Sequence, residues 1–196
     1  MANLLEAFCQ FKDFKSIIYR QNDLQEESLE GLKILLAKGI PYHLQELRIS
    51  NCRLTPQVTS DLIEAIAKKS YLKQFELANA PLSEENIVSI AEYVMSSRQL
   101  EDLDLSFNGM GSNKMELLFS YIKDNKRLSS LNFSHNLLIE GMSGNNMTQV
   151  LETEARVSSY LFQFLRTNRK LVHIDMTSTN LSESVILNIL PAIKKA

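Results

Sequence analysis

Residues 100–110 read LEDLDLSFNGM, with apolar side chains at the first, fourth, sixth and eleventh positions (Leu100, Leu103, Leu105, Met110). That spacing fits neither the 3.6-residue stripe of a helix nor the plain alternation of a half-buried strand. It recurs in LQELRISNCRL from Leu44, LKQFELANAPL from Leu72, LSSLNFSHNLL from Leu128 and LVHIDMTSTNL from Leu171, with a degenerate first copy, FKSIIYRQNDL, from Phe14. The starts at 44, 72, 100 and 128 lie 28 residues apart, whereas Phe14 to Leu44 is 30 and Leu128 to Leu171 is 43. Four apolar slots in six copies are filled every time, counting Tyr19, in a chain that is 44% hydrophobic. Chance would fill about ten or eleven of the 24. One structural unit is therefore repeated.

Each unit divides into two elements. The central x-L-x-L-x predicts a short strand whose alternate residues point to opposite sides. The second half predicts an amphipathic helix. Ten residues before each following start stand Leu62, Ile90, Leu118 and Leu161, and six before stand Ile66, Val94, Ile122 and Leu165, one helical turn away. Leu4 and Phe8 precede the first copy in the same register, and Ile189 and Ile193 continue it beyond the last. Thr55 before Pro56, Ser83 and Ser182 are candidate N-caps. Acids at helix starts (Glu84, Glu85, Glu183) and bases at helix ends (Lys123, Arg127, Arg166, Arg169) suit the helix dipole.

The ninth motif position holds Asn22, Asn108 and Asn136, where a side-chain amide can bond backbone groups that a buried turn leaves unpaired. Cys52 fills it once; Ala80 and Thr179 depart from the pattern, with Asn79 and Asn180 beside them. This pattern resembles the leucine-rich repeat family, and the 28-residue period with a helical second half is similar to its ribonuclease-inhibitor-like subclass. The resemblance runs from about Leu4 to the end. It implies a right-handed α/β solenoid, a horseshoe with a parallel concave β-sheet and convex helices, built from about six repeats in a single domain over residues 1–196. It also implies that Cys52 is a usual substitute for asparagine and that the ligands are proteins. Residues 1–13 are expected to form an N-terminal helix or partial repeat.

Two irregularities stand out. About 15 extra residues, drawn from IEGMSGNNMTQVLETEA, interrupt the fifth unit and are expected as a loop insertion within 139–156, ahead of a helix over 155–168. Its glycines are not followed by Gly-Lys-Ser/Thr, so no phosphate loop is expected. The last helix has no strand after it, which leaves an apolar C-terminal edge expected to meet a neighbouring subunit or domain, or the rest of a longer chain.

Composition narrows the function. A net charge of -2 and a pI near 6.0 supply no basic excess for nucleic acid or an anionic membrane surface, so neither is an expected partner. No apolar run approaches the roughly 20 residues of a membrane helix, and the N-terminus has no basic region or cleavage signature. A cytoplasmic protein is expected. Two cysteines, Cys9 and Cys52, make no disulfide framework.

The third, fifth, seventh and eighth motif positions fall on the outward, concave side of the strands. They carry Glu46, Glu76, Asp102, Asp104 and Asp175 against Arg20 and Arg48, a local charge of -3 in a chain of -2. The candidate partner-binding residues are those five acids with Arg48, Phe107, Asn132, His135 and His173. His135 and His173 should stand roughly 16 Å apart, too far to share a metal. An open face does little to perturb paired carboxylates toward catalysis. No catalytic set, cofactor or metal is expected. The expected function is a protein interaction scaffold that takes a basic segment of a partner on the acidic concave face, aided by the insertion. The alternatives are a GTPase-activating protein of the Ran type, a structural subunit of a large cytoskeletal or axonemal assembly, or a fragment of a longer multidomain protein.

Overall fold

A computed structural model describes residues 13–21, 31–34, 36, 43–69, 71–137 and 147–193. Among the described residues there are six strands, β1 (Ser16–Arg20), β2 (Glu46–Ser50), β3 (Gln74–Ala78), β4 (Asp102–Asp104), β5 (Ser130–Asn132) and β6 (His173–Asp175). They form one sheet in sequence order, every neighbouring pair parallel. Ser16, Glu46, Gln74, Asp102, Ser130 and His173 are Cα partners in turn, all at the third motif position, so the spacing along the chain becomes the register of the sheet. The helices are α1 (Pro56–Lys69), α2 (Glu84–Ser96), α3 (Ser112–Ile122), α4 (Met147–Thr167) and α5 (Glu183–Ile193), each packed on the next; residues 31–34 are also helical.

The interior lies between the helices and one face of the sheet. Leu47, Leu77, Leu103 and Leu131 from the strands and Leu62, Ile90, Leu118 and Leu161 from the helices are all buried. At its centre Phe119 of α3 meets Phe133 edge-on, centroids 5.3 Å apart, and Phe164 of α4 at 6.2 Å. Packing thins at the ends, because each coil of such an array is covered only by its neighbours. Ile17 and Tyr19 at one end, and Leu171, Ile174, Met176 and Leu181 at the other, are only half-buried. The row expected to bury Ile189 and Ile193 divides: Ile189 is buried, while Ile193 is 45% exposed, with Ile186, Leu187 and Leu190 also open to solvent on α5.

The caps fall at the expected residues. Ser83 Oγ accepts from the Asn86 amide at 3.1 Å, and Asn86 Oδ1 accepts from the Ser83 amide at 3.0 Å, a reciprocal capping box. Thr55 and Ser182 accept from Val58 and Val185 at 3.3 and 3.4 Å. A second set, unforeseen in the sequence, closes the helix-to-strand turns. Asn125 and Asn168 each accept from the two amides that lead into the next strand and donate to a buried carbonyl, of Val94 and of Leu128 respectively.

The ninth-position ladder is present and directional. Asn108 donates to its own Leu105 carbonyl at 3.0 Å, but its other bonds reach back one repeat, to the Leu77 carbonyl and the Ala80 amide, both at 2.7 Å. Asn136 repeats the arrangement on Leu105, Phe133 and the Asn108 amide. The turn at Ala80 is therefore held by Asn108 although Ala80 has no side-chain amide of its own. Cys52 donates its thiol to the Tyr19 and Ser50 carbonyls at 3.6 and 3.4 Å, and Thr179 bonds the Met176 carbonyl at 2.7 Å. Asn22 lies outside the described residues.

One expectation is corrected. The insertion is not a loop throughout, since α4 begins at Met147, eight residues before the helix start read from the sequence. Leu151, Glu152, Glu154 and Ala155 favour helix. Thr153 and Val157, one turn apart, are buried, and Arg156 pairs with Glu116 of α3 at 2.7 Å. Residues 138–146 and the N-terminal residues 1–12 lie outside the described residues.

Candidate functional site

The strand residues alternate as their motif positions dictate. Glu46, Arg48, Glu76, Asp102, Asp104, Asn132, His173 and Asp175 stand at third and fifth positions, flanking core residues such as Leu47, Phe75, Leu103 and Ile174. They share the open face of the sheet. Phe107 and His135 stand at the eighth position, on the rim where the chain leaves the strands.

On β1 to β3 the acids are already partnered. Arg20 reaches across two strands to Glu76 Oε2 at 2.6 Å, and Arg48 lies 3.6 Å from the same oxygen. Arg48 also bonds Glu46 through Nε and Gln74 Oε1 through Nη2, the latter at 2.9 Å. Glu46 further accepts from the Ser16 hydroxyl at 2.5 Å, and this bond leads the causes that lower its pKa; the Arg48 guanidinium adds to it. Glu76, expected as an exposed contact, is only 7% accessible beneath the two guanidiniums. Two cations offset two acids, so this half of the face is neutral.

On β4 to β6 the balance differs. Asp102, Asp104 and Asp175 form no ion pair among the described residues, and the whole of the expected charge of -3 lies here. Two of them are held in place by neutral donors. Asp104 accepts from the Ser106 amide at 2.9 Å and the Asn132 side chain at 2.8 Å. Asp175 accepts from the Thr177 amide at 2.9 Å. The Thr177 hydroxyl and amide, then the nearby His173 and His135, hold the Asp175 carboxyl below its ordinary pKa. Arg48, Glu76, Asp102, Asp104, Asn132 and His173 border a shallow depression of about 150 Å³ between the two halves. Among the described residues no group of His, Cys, Asp and Glu is placed to hold a metal ion, and no helix is long and apolar enough to cross a membrane.

The rim shows what the motif alone did not reveal. All six eighth-position residues adopt a left-handed backbone: Gln21, Asn51, Asn79, Phe107, His135 and Ser178, with φ between 54° and 59°. In this conformation the amides of the first five still extend the ladder to the next repeat, as in Phe107 to the Ser134 carbonyl at 3.1 Å and His135 to the Thr177 carbonyl at 2.8 Å. Neighbouring rim side chains then pair. Asn79 donates to Asn51 at 3.0 Å, and Phe107 stacks on His135 with centroids 4.0 Å apart and planes 11° from parallel.

The Leucine Rich Repeat family profile matches residues 43–67, the second strand and most of the following helix. Among solved structures, the actin-binding site 2 of leiomodin-1 aligns over 98% of this chain and 87% of its own, with TM-score 0.59 and 14% identity. The tropomodulin C-terminal domain of Caenorhabditis elegans aligns over 85% of this chain and 92% of its own, with TM-score 0.63 and 16% identity. The fold is a leucine-rich repeat solenoid. No curated protein matches the chain by sequence. The candidate face is thus the strand surface of a leucine-rich repeat array, its charge divided between a neutral half and an acidic half.

Proposed function

We propose that this leucine-rich repeat protein is a non-enzymatic cytoplasmic scaffold whose β4 to β6 surface binds a basic segment of a partner protein. The observation that carries this reading is the division of charge: Asp102, Asp104 and Asp175 form no ion pair among the described residues, whereas Glu46 and Glu76 are matched by Arg20 and Arg48. Fixed carboxylates on an exposed repeat surface attract cations of a binding partner with little reorganisation. The test is affinity capture with mass spectrometry, comparing the wild type with an Asp102→Asn/Asp104→Asn/Asp175→Asn variant and with Glu46→Gln in the neutral half. Partners carrying basic segments should disappear with the triple variant and persist with Glu46→Gln. An unchanged set of captured proteins refutes the reading.

A second reading is a structural subunit of a cytoskeletal assembly. It is supported by the apolar residues left open on α5 (Ile186, Leu187, Leu190, Ile193) and by the similarity to the actin-binding site 2 of leiomodin-1. Co-sedimentation with filamentous actin tests it directly. A chain that stays in the supernatant at saturating filament concentration rules out actin.

A further inference from the structure

The rim of the acidic half contains an unusual choice of residues. Every repeat needs a left-handed residue at the eighth position. Asparagine and histidine adopt that conformation more readily than most residues, whereas phenylalanine is strained in it. Two repeats use asparagine, at 51 and 79, yet the first two repeats of the acidic half use Phe107 and His135. Phe107 is 53% exposed, so burial does not offset its conformational cost. A strained, solvent-facing aromatic is better explained by what it meets than by what it packs on.

We propose that the stacked Phe107 and His135 rings, together with Asp104 and Asp175, form an arginine-selective docking site for the basic segment. The inference rests on the reading of the acidic half given above and deepens it by naming the cation. The rings lie 11° from parallel, and both residues are exposed. Asp104 stands three residues before Phe107 on β4, and Asp175 pairs in register with Asn132, three residues before His135. Both carboxylates are oriented by neutral donors and form no ion pair among the described residues. A planar guanidinium can stack on an aromatic face while its N–H groups reach a carboxylate. The ammonium of lysine is a compact, strongly hydrated point charge that gains the carboxylate but not the stack.

The experiment measures fluorescence anisotropy of two labelled peptides matched in length and charge, one with arginine and one with lysine at every cationic position. The wild type should bind the arginine peptide about five- to tenfold more tightly. A Phe107→Asn/His135→Asn variant should lose that preference while keeping its affinity for the lysine peptide. Asparagine occupies the same backbone position in two other repeats, so this variant retains the turn. Equal affinity of the wild type for the two peptides, or a preference that survives the double substitution, overturns arginine selectivity while leaving the acidic face as a basic-segment site. Failure to bind either peptide overturns both.

Discussion

Replacing Asn108 with alanine tests the ladder at a buried position that joins two successive repeats. The Asn108 side chain makes three bonds: from Oδ1 to the Ala80 amide, and from Nδ2 to the Leu77 and Leu105 carbonyls. The Leu105 carbonyl keeps the Asn136 donor at 2.9 Å, so its loss is partial. The Ala80 amide and the Leu77 carbonyl lose their side-chain partner, and both belong to buried residues. An unsatisfied buried backbone group costs about 1–3 kcal/mol. Two such groups, with some relaxation, place the expected loss at about 2–4 kcal/mol. For a chain of this size that lowers Tm by about 4–16 °C. Calorimetry or urea denaturation of wild type and Asn108→Ala measures the difference, with the exposed Lys126→Ala as a reference. Asn108→Asp should fall at least as far, because the carboxylate keeps the bond to the Ala80 amide but turns acceptors toward two carbonyls. A Tm lowered by less than about 2 °C in Asn108→Ala would refute the role assigned to the ladder.

Other substitutions probe separate parts of the molecule. Arg20→Ala/Arg48→Ala leaves Glu76 without its cations and should destabilise the chain, and adding Glu76→Gln should recover part of the loss; absence of recovery in thermal melts would show that the guanidiniums do not act through Glu76. Thr177→Val removes the largest influence lowering the Asp175 pKa, so the carboxyl should titrate closer to the ordinary value near 3.9 by NMR. Since the folded pKa is depressed, Asp175 contributes stability above its unfolded pKa and loses it as pH falls through the folded value, so the variant's acid-side loss should be smaller than in wild type and complete at a higher pH. Phe119→Ala empties the centre of the Phe119, Phe133 and Phe164 cluster and should cost about 3–5 kcal/mol in urea denaturation; a loss under about 1 kcal/mol would mean that the core refills.

The strands were legible because the motif fixes both their place and their pairing: a start every 28 residues puts identical positions side by side in a parallel sheet. The helices followed from their apolar rows, and the three candidate caps from residue type and position. Residues 147–154 misled because their Gln, Glu and Thr content reads as polar insertion, while the burial that supports the helix comes from Thr153 and Val157 against the body of the repeat. The charge of the open face could be counted in the sequence but not apportioned. Nothing in the local spacing indicates that Arg20 spans two strands to reach Glu76. The left-handed rim was hidden for a related reason: glycine or asparagine would have signalled it, and only Asn51 and Asn79 among the six do so.

The backward reach of Asn108 and Asn136 makes the array like a course of roof tiles, each one pinned by the tile laid after it. Shortening such a chain is therefore asymmetric. Removing coils from the rear strips the pin from the last coil that remains, whereas removing them from the front takes each lost coil's support away with it. A library of nested truncations should tolerate deletion from the two directions unequally, and the boundary at which folding fails would mark where the pinning matters most.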